Sequence, residues 1–265
     1  MDDVLGYDGK HVLVTGAASG MGEATARLLV ELGARVTGLD VKTVEVDGVE
    51  SRTVDLRSTS SIDGAIDGLG DLDAVFSVAG LPGPPFSDMD VLTVNFIGAR
   101  YLIEALIPSM APGSAIACVA SNAGLGWQNE LEKLYPVITN PSFDDTVAWV
   151  EAHPDDLNAN MGYLYSKKLT NAWVAWRAPQ LLVPQGIRLN NTNPGPTQTA
   201  MMPAFEDFAG KEMIDAFVGP SGRRSTAEEQ AWPLLFLNSP RSSYVTGEAF
   251  HTDAGFLAAQ TTGQL

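Results

Sequence analysis

A glycine-rich turn between a predicted strand and a predicted helix constrains the fold of this chain more than any other feature. Residues 11–15 (HVLVT) are a short apolar run that ends at Gly16, which is typical of a buried strand. In residues 21–32 apolar side chains recur at helical spacing, and Gly33 follows them as a helix stop. The glycines in between permit a tight turn and let backbone N–H groups approach a pyrophosphate. This order of elements indicates a dinucleotide-binding unit.

Strand and helix patterns continue to alternate after this unit. Further strands are predicted at residues 35–39, 74–78, 115–120, 187–191 and 248–252, and further long helices at residues 91–107, 161–182 and 227–237. Such alternation is typical of a parallel sheet whose two faces are both covered by helices. The length of 265 residues corresponds to one large domain or two small ones.

Two stretches depart from this alternation. Only 14 residues separate Asp40 from Asp55, barely enough for a crossover of about ten to twelve residues, so we expect a loop in place of a helix. The segment at about 125–160 is acidic and carries four aromatic residues, and we interpret it as an insertion of one or two short helices. Apolar residues also recur at about 196–218. The two segments together could wall an apolar pocket, and packing on the domain itself or on a second subunit is the alternative.

The composition excludes several classes of partner and site. Sixteen basic and 32 acidic residues give a formal net charge of −16, which disfavours a nucleic acid or an anionic membrane surface. A single cysteine, Cys118, excludes an internal disulfide, and the three histidines lack the spacing of a metal site. No apolar run approaches the roughly 18–20 residues that span a bilayer. Residues 1–10 lack the basic and apolar regions of a secretory signal, so a cytoplasmic protein is expected. No bound metal is expected either.

The residue pair with the clearest chemistry is Tyr163 and Lys167. They lie four residues apart on a predicted helix and therefore share one face. A phenol has a pKa of about 10, and a neighbouring ammonium, together with the positive nicotinamide ring of an oxidised cofactor, lowers that pKa by favouring the phenolate. Such a tyrosine can exchange a proton with an alcohol or a carbonyl oxygen. Tyr165 has leucine rather than lysine four residues later, so packing is expected for it.

Three further polar residues are candidates for the site. Ser121 follows the strand at 115–120 and could hold a substrate oxygen, with turn capping as the alternative. Asn95 lies in an apolar helix, where a polar amide needs a hydrogen-bond partner. Asp40 ends the second strand, where its carboxylate can bind adenosine ribose hydroxyls and would repel the 2′-phosphate of NADP. Lys42 could soften that repulsion, but NAD is the expected cofactor.

Taken together, these motifs resemble the short-chain dehydrogenase/reductase family. Residues 15–22 match its Thr-Gly-x-x-x-Gly-x-Gly pattern, Tyr163-x-x-x-Lys167 its active-site pair, and Ser121-Asn122-Ala123-Gly124 its serine motif. The resemblance implies one Rossmann-type dehydrogenase domain over residues 1–265. Its doubly wound parallel sheet would have about seven strands, with the insertion between strand 5 and the catalytic helix. The family usually forms homodimers or homotetramers, and the implied substrate is a small apolar alcohol or ketone.

The resemblance also implies a role for each matching residue. Ser121, Tyr163 and Lys167 would be catalytic, and Asn95 would help to order water in a proton relay through the lysine. The residues implied to bind the cofactor are Gly16, Ser19, Gly20, Met21, Gly22, Asp40, Asp55, Leu56, Ala79, Gly80, Tyr163, Lys167, Pro194, Gly195, Thr197 and Thr199. Among them, Asp55 matches the position that contacts adenine, and residues 194–199 resemble the turn that holds the nicotinamide carboxamide.

Two departures from the family pattern narrow the resemblance. Ser77-Val78-Ala79-Gly80 replaces Asn-Asn-Ala-Gly, so a structural hydrogen bond near the central strand must be made otherwise. Ser121 and Tyr163 are 42 positions apart, far more than is common in the family. With the short link before Asp55, this pattern looks like one branch of the family. That branch includes bacterial 3α-hydroxysteroid dehydrogenase/carbonyl reductases and coniferyl-alcohol dehydrogenases.

The expected activity is the NAD-dependent interconversion of a secondary or aromatic alcohol and its carbonyl compound. A hydroxysteroid or a similar ring-bearing apolar compound is the expected substrate, and a coniferyl-type aromatic alcohol is the alternative. A nucleotide-sugar epimerase or dehydratase fits less well, because such chains are usually longer. A regulatory protein that binds NAD is the non-enzyme alternative, and the intact Ser121, Tyr163 and Lys167 argue against it.

Overall fold

The computed structural model describes residues 3–265, apart from the side chain of Asn160. Met1 and Asp2, part of the N-terminal segment interpreted above as lacking a secretory signal, lie outside the described residues. The strands are β1 (His11–Thr15), β2 (Arg35–Asp40), β3 (Val49–Thr53), β4 (Leu72–Ser77), β5 (Met110–Val119), β6 (Arg188–Pro194), β7 (Thr197–Gln198), β8 (Ser225–Thr226) and β9 (Ala249–Thr252). The helices are α1 (Gly20–Glu31), α2 (Thr59–Ile66), α3 (Asp88–Leu92), α4 (Ala99–Leu106), α5 (Leu131–Ile138), α6 (Phe143–Ala152), α7 (Pro154–Gln185), α8 (Met202–Ala209), α9 (Lys211–Asp215), α10 (Ala227–Asn238) and α11 (Phe256–Thr261).

Within residues 3–265, seven parallel strands form the central sheet in the order β3-β2-β1-β4-β5-β6-β9, and β7 pairs with β8 separately. β1 has β2 on one side and β4 on the other, so the strand order reverses at β1. In open α/β sheets, ligands bind in the crevice at the carboxyl ends of the strands beside such a reversal. The predicted doubly wound Rossmann-type sheet is confirmed, and its crevice lies where the glycine-rich turn begins.

Helices cover both faces of this sheet, which explains the continuous apolar runs of its central strands. On one face α1 and α10 pack against each other and cover Val14 and Phe76. On the other face α2, α4 and α7 contribute to a cluster that includes Leu13 and Val75. All four of these strand residues are fully buried. Successive residues of β1 and β4 therefore point into opposite apolar layers.

The edge strand β3 was not predicted from the sequence because its composition is polar. It reads VESRT and is mostly exposed at the edge of the sheet, so it lacks the apolar pattern of a buried strand. The expected loop between β2 and β3 is confirmed, because residues 41–48 form bends and turns rather than a helix. β5 starts at Met110 rather than at residue 115, since its first part includes exposed residues.

The helical segment Asp88–Ser109, in which a wider turn (Thr93–Gly98) joins α3 to α4, is more apolar than its interrupted sequence suggested. It spans 22 residues at a mean hydropathy of 1.3 and is the one helix in the described residues that is long and apolar enough to cross a membrane. Arg100 and Glu104 interrupt the run without lowering this average enough to exclude it. Because 72% of the apolar window is buried, its side chains belong to the protein core.

Two helices, α5 and α6, form most of the insertion, as predicted, and the first turns of α7 complete it. Arg100 of α4 holds both helices, since Nη1 donates to the Val137 carbonyl and Nη2 to the Thr146 hydroxyl, each at 2.8 Å. Lys168 of α7 pairs with Glu130, which directly precedes α5, with Nζ 2.5 Å from Oε1. The insertion is therefore attached to both α4 and α7.

The close packing at the start of α4 makes Gly98, the residue that directly precedes this helix, a sensitive position. A Cβ at Gly98 would collide with the backbone carbonyl oxygen of Leu56, which cannot move independently of its chain. We therefore expect Gly98→Ala to lower the free energy of unfolding by about 3 kcal/mol. Urea denaturation followed by circular dichroism measures this change.

Gly64 in α2 provides the matched control, because a Cβ there meets no atom within 4 Å. Gly64→Ala should raise the free energy of unfolding by about 0.5–1 kcal/mol, because alanine favours the helix more than glycine does. Equal losses in the two variants would contradict the packing of α4 described above.

Candidate active site

The glycine-rich turn joins β1 to α1 at the reversal of the sheet. Thr15 ends β1 and Gly20 begins α1. A Cβ at Gly22 would collide with the carbonyl oxygen of Gly16, so the first turn of α1 lies directly against the end of β1. This contact requires glycine at position 22, and it places the start of α1 at the mouth of the crevice.

The N-terminus of α1 is open to an anion. Ser19 precedes the helix in an extended conformation, and its side chain makes no capping hydrogen bond. The first N–H groups of a helix have no partner within the helix and form the positive end of its dipole. A pyrophosphate fits such a position. The residues of the turn are therefore compatible with the predicted dinucleotide.

Two aspartates lie beside this turn in different environments. The Asp40 carboxylate accepts hydrogen bonds from the backbone N–H groups of Ala18 at 3.1 Å and Lys42 at 3.0 Å, which hold it next to the turn. The Asp55 carboxylate is bound by Arg57, whose Nε and Nη2 lie 3.0 and 2.9 Å from its two oxygens. This hydrogen-bonded pair lowers the pKa of Asp55. Arg57 is thus a neighbour of the predicted adenine position that the sequence did not reveal.

Leu56, also predicted to bind the cofactor, contributes its side chain to the core cluster beneath the sheet. The structure leaves only the backbone of Leu56 for such a contact. This outcome follows from its apolar character, because an apolar side chain is more stable in the core than in the crevice.

Thr15 and Asn95 hold the segment after β4 in place of the missing asparagines. The Thr15 hydroxyl accepts hydrogen bonds from the N–H groups of Val78 and Ala79 at 3.0 and 3.1 Å. The Asn95 amide accepts from the N–H of Leu81 at 2.7 Å and donates to its carbonyl at 3.0 Å. The need of Asn95 for a partner is therefore met by the backbone, and its role in a water relay stays a prediction.

Ser121 and Tyr163 meet at the crevice from different elements. Ser121 directly follows the end of β5, where its N–H donates to the Asn193 side chain at 3.2 Å and its hydroxyl accepts from the Ala123 N–H at 3.1 Å. These contacts fix its orientation. The Ser121 hydroxyl also lies near the half-buried Tyr163 side chain of α7, where it acts to lower the pKa of Tyr163. Ser121 therefore caps the turn after β5 through the Ala123 N–H and also lies beside Tyr163 in the site.

Lys167 is buried beside the Tyr163 ring. Its exposure is 4%, and its Nζ donates a hydrogen bond to the carbonyl of Val119 at 2.9 Å. The same Nζ lies 5.4 Å from the centroid of the Tyr163 ring. Burial lowers the pKa of Lys167 to about 8, because an ammonium loses hydration there.

The pKa of Tyr163 in the protein alone is set mainly by burial. Burial raises the pKa of Tyr163, and the neighbouring Ser121 side chain opposes that rise only in part. This rise applies to the protein alone, because burial removes hydration from the phenolate. The predicted lowering also requires the positive nicotinamide ring of a bound cofactor, so it stays a prediction. The phenol is protonated at neutral pH, the form that can donate a proton to a carbonyl oxygen.

Asp88 positions the start of the catalytic helix, and it was not predicted from the sequence. α7 is interrupted at Met161, whose φ of 55° and ψ of 151° lie in a region that favours glycine. The helix resumes at Gly162, whose N–H donates to the Asp88 carboxylate at 2.7 Å. A carboxylate stabilises a helix N-terminus, and here the next residue is Tyr163. The partners are 74 residues apart, so no local pattern could reveal the contact.

The turn predicted to hold the nicotinamide lies against the glycine-rich turn. The side chain of Thr199 is 3.4 Å from the position of a Cβ at Gly20. The Thr197 hydroxyl donates to the Gly195 carbonyl at 3.0 Å, and Pro194 ends β6 beside β5. The structure therefore brings both turns to one crevice, and their contacts with a cofactor stay predictions.

The aromatic residues of the insertion pack mainly within the protein. Phe143 contacts Tyr101 edge-on with centroids 5.9 Å apart, and Trp149 stacks on a histidine at 4.0 Å. These contacts favour the alternative in which the insertion packs on its own domain. The Tyr163 ring instead meets Phe205 of α8, with centroids 5.0 Å apart and an interplanar angle of 74°. The segment at 196–218 thus supplies the aromatic neighbour of the site.

Known proteins are similar to this chain over most of its length. Residues 10–133 match the family model described as short chain dehydrogenase, and residues 156–257 match the model described as enoyl-(acyl carrier protein) reductase. An acetoacetyl-CoA reductase from Synechocystis is 30% identical over 262 residues, which cover 94% of this chain and 97% of that protein. The chain belongs to the short-chain dehydrogenase/reductase family.

Other short-chain dehydrogenases/reductases are similar over comparable lengths. A coniferyl-alcohol dehydrogenase from Pseudomonas is 29% identical over 247 residues, covering 93% of this chain and 96% of that protein. A 3-alpha-hydroxysteroid dehydrogenase/carbonyl reductase from Comamonas testosteroni is 29% identical over 256 residues, which cover 96% of this chain and 98% of that protein. The solved 3-alpha-hydroxysteroid dehydrogenase from Pseudomonas sp. B-0831, complexed with NADH, matches the fold with a TM-score of 0.80 at 23% identity. The match covers 96% of this chain and 99% of that chain. The resemblance is confirmed, and the protein is an oxidoreductase with an NAD(P)-binding Rossmann fold.

The buried Lys167 makes the stability of this short-chain dehydrogenase/reductase depend on pH. The pKa of Lys167 is about 8 in the folded protein and returns toward its ordinary value of 10.5 on unfolding. Between these values the unfolded chain binds more protons, so Lys167 raises the free energy of unfolding as the pH rises from about 8 to about 9.5. Urea denaturation across this range measures the increment.

Two variants isolate this effect. Lys167→Met should lose the rise, whereas Lys133→Met, at an exposed position of α5, should keep it. A wild-type protein that loses stability relative to Lys167→Met over the same range would contradict the burial of this ammonium.

Proposed function

We propose that the protein is an NAD-dependent oxidoreductase that interconverts a secondary or aromatic alcohol and its carbonyl compound. The meeting of three side chains carries this conclusion: the Ser121 hydroxyl lies near Tyr163 and acts on its pKa, and Lys167 lies buried beside the same ring. They stand at the edge of the sheet that also carries the open N-terminus of α1. The interconversion of an alcohol and its carbonyl compound needs an acid/base group for the proton and a dinucleotide for the hydride.

Tyr163 is the acid and base of the proposed reaction. The dinucleotide, when bound, accepts or supplies the hydride. Ser121 holds the substrate oxygen next to the Tyr163 oxygen. In carbonyl reduction the Tyr163 phenol donates its proton to the substrate oxygen, and in alcohol oxidation the Tyr163 phenolate takes the hydroxyl proton. The ammonium of Lys167 stabilises the phenolate that remains after reduction. Asn95 completes the proposed group as the residue that orders water for the relay through Lys167.

The cofactor preference rests on Asp40. Two backbone N–H groups hold its carboxylate beside the glycine-rich turn. A carboxylate there accepts hydrogen bonds from ribose hydroxyls and repels a 2′-phosphate, which favours NAD over NADP. The exposed Lys42 reduces this repulsion without moving the carboxylate. The 3-alpha-hydroxysteroid dehydrogenase of similar fold was solved with NADH, which also supports NAD.

A hydroxysteroid or a similar ring-bearing apolar alcohol is the proposed substrate. Two relatives of similar length are named for a 3-alpha-hydroxysteroid and for coniferyl alcohol, and both compounds carry rings. The aromatic ring of Phe205 beside Tyr163 favours such a substrate, because it offers an apolar surface next to the reacting oxygen. A coniferyl-type aromatic alcohol is the second candidate, supported by the coniferyl-alcohol dehydrogenase relative.

We further propose that residues 1–265 form one dehydrogenase domain that works as a homodimer or homotetramer in the cytoplasm. Support for assembly comes from the sheet edge at β9 and the adjacent surface. Phe250 of β9, Trp232 and Phe236 of α10, and Tyr244 are all exposed large apolar residues. Burying them between subunits would remove apolar surface from water.

Replacing Tyr163 by phenylalanine tests its role. Tyr163→Phe should lower the turnover of a 3α-hydroxysteroid with NAD by about a hundredfold to ten-thousandfold, because the acid/base group is lost. NADH binding, followed by fluorescence, should change little. Tyr165→Phe is the control, because the Tyr165 hydroxyl is buried without a hydrogen-bond partner and does not reach the site.

Unchanged turnover in Tyr163→Phe would remove this residue from the mechanism. A wild-type protein that binds NADH but oxidises no steroid or aromatic alcohol would favour the alternative of an NAD-binding regulatory protein.

Replacing Asp40 by alanine tests the cofactor preference. Loss of its charge should narrow the ratio of kcat/KM for NAD over NADP by about tenfold to a hundredfold. Asp47→Ala removes a charge from an exposed position in the same loop and should leave the ratio unchanged. If Asp40→Ala leaves the NAD over NADP ratio of kcat/KM as unchanged as Asp47→Ala does, the adenosine ribose binds elsewhere.

A further inference from the structure

The helices α8 and α9 leave the body of the protein between the short strands β7 and β8. Most of their apolar side chains do not contact the site. Phe208 and Met213 are 55% and 59% exposed, and Phe217, which follows α9, packs on Phe256 with centroids 5.1 Å apart. Phe205 differs, because its edge-to-face contact at 5.0 Å lies on the ring of Tyr163. One aromatic residue of this segment therefore stands beside the reacting phenol.

Arg224 joins both helices to the body. Its Nη2 lies 2.6 Å from Oε1 of Glu206 on α8 and 2.7 Å from Oδ1 of Asp215 at the end of α9. Its Nε also donates to Oδ1 of Asp215 at 2.8 Å. Arg224 directly precedes β8, whose partner is β7, so its backbone is tied to the base of the segment.

The burial of Arg224 separates this cluster from ordinary surface ion pairs. The Arg224 side chain is only 12% exposed, so water screens its attraction to the two carboxylates less than at an open surface. Glu206 is the residue next to Phe205, so an ion pair that holds Glu206 also restricts where the Phe205 ring can lie. Neighbouring Arg223 is 60% exposed and pairs with Glu229 of α10, away from α8 and α9.

We propose that Phe205 determines specificity for ring-bearing alcohols and that Arg224 is the positioning residue that holds it beside Tyr163 through Glu206 and Asp215. The specificity part rests on the proposed function. A flat or fused-ring substrate whose hydroxyl reaches Tyr163 must pass its rings along Phe205, where burial and edge-to-face contact stabilise it. A small aliphatic alcohol gains nothing from this surface.

Two substrates of different size test the role of Phe205. In Phe205→Ala, kcat/KM for a 3α-hydroxysteroid with NAD should fall about tenfold, mainly through KM, as expected for the loss of one aromatic contact. The value for propan-2-ol should change less than about twofold. Phe208→Ala, an exposed phenylalanine three residues later on the same helix, should change neither value. Phe205→Leu should show the same split if Phe205→Ala folds poorly.

An equal loss for both alcohols, or the same split in Phe208→Ala, would overturn the role of Phe205. If the wild-type protein oxidises neither alcohol, the proposed function fails and the specificity role of Phe205 fails with it. The positioning role of Arg224 is decided separately, by a measurement that needs no substrate.

Amide hydrogen exchange of the substrate-free protein supplies that measurement. Arg224→Gln should raise the exchange rate of the α8 and α9 amides about tenfold, because the link to the body is lost. Arg223→Gln removes an equal charge one residue earlier and should leave these rates unchanged. In the steroid assay, Arg224→Gln should raise KM more than it lowers kcat. Exchange rates in Arg224→Gln that match those of the wild type would overturn the positioning role.

Discussion

The hydrogen bond from the buried Lys167 ammonium to the Val119 carbonyl is the interaction on which the candidate site depends. It ties α7 to the end of β5, which is followed by Ser121 two residues later. With Nζ held there, the Tyr163 ring one helical turn earlier lies against the ammonium and reaches the Ser121 hydroxyl. Removing an ammonium from water costs free energy, so the contact is explained by the chemistry of the site rather than by stability.

Contacts from distant parts of the chain hold the surroundings of this pair. Asp88 binds the N–H of Gly162 at the point where the catalytic helix resumes after Met161. Arg100 attaches the insertion to α4, and Arg224 attaches α8 and α9 to the base of their segment. Each contact joins elements that are separate in the fold. Polar contacts between residues that are distant in the sequence therefore hold the elements around Tyr163 and Lys167.

Local patterns predicted the parts of the structure that local physics determines. The buried strands β1 and β4 are apolar because helices cover both of their faces, whereas β3 at the polar edge had no such signal. Spacing placed Tyr163 and Lys167 together because residues four apart share a helix face. Spacing could not reveal Asp88, the partners of Arg224, or the direction in which the protein alone shifts the pKa of Tyr163. That direction depends on burial, which only the assembled chain produces.

The most direct test is the pKa of the Tyr163 phenol itself. Ultraviolet difference titration of tyrosinate, taken as wild type minus Tyr163→Phe, measures that pKa with and without saturating NAD⁺. We expect a pKa above the ordinary value of about 10 in the protein alone, because burial disfavours the phenolate. Saturating NAD⁺ should lower it, because a positive nicotinamide ring beside Tyr163 stabilises the phenolate. A pKa that NAD⁺ leaves unchanged would contradict the placement of Tyr163 beside the reacting end of the cofactor.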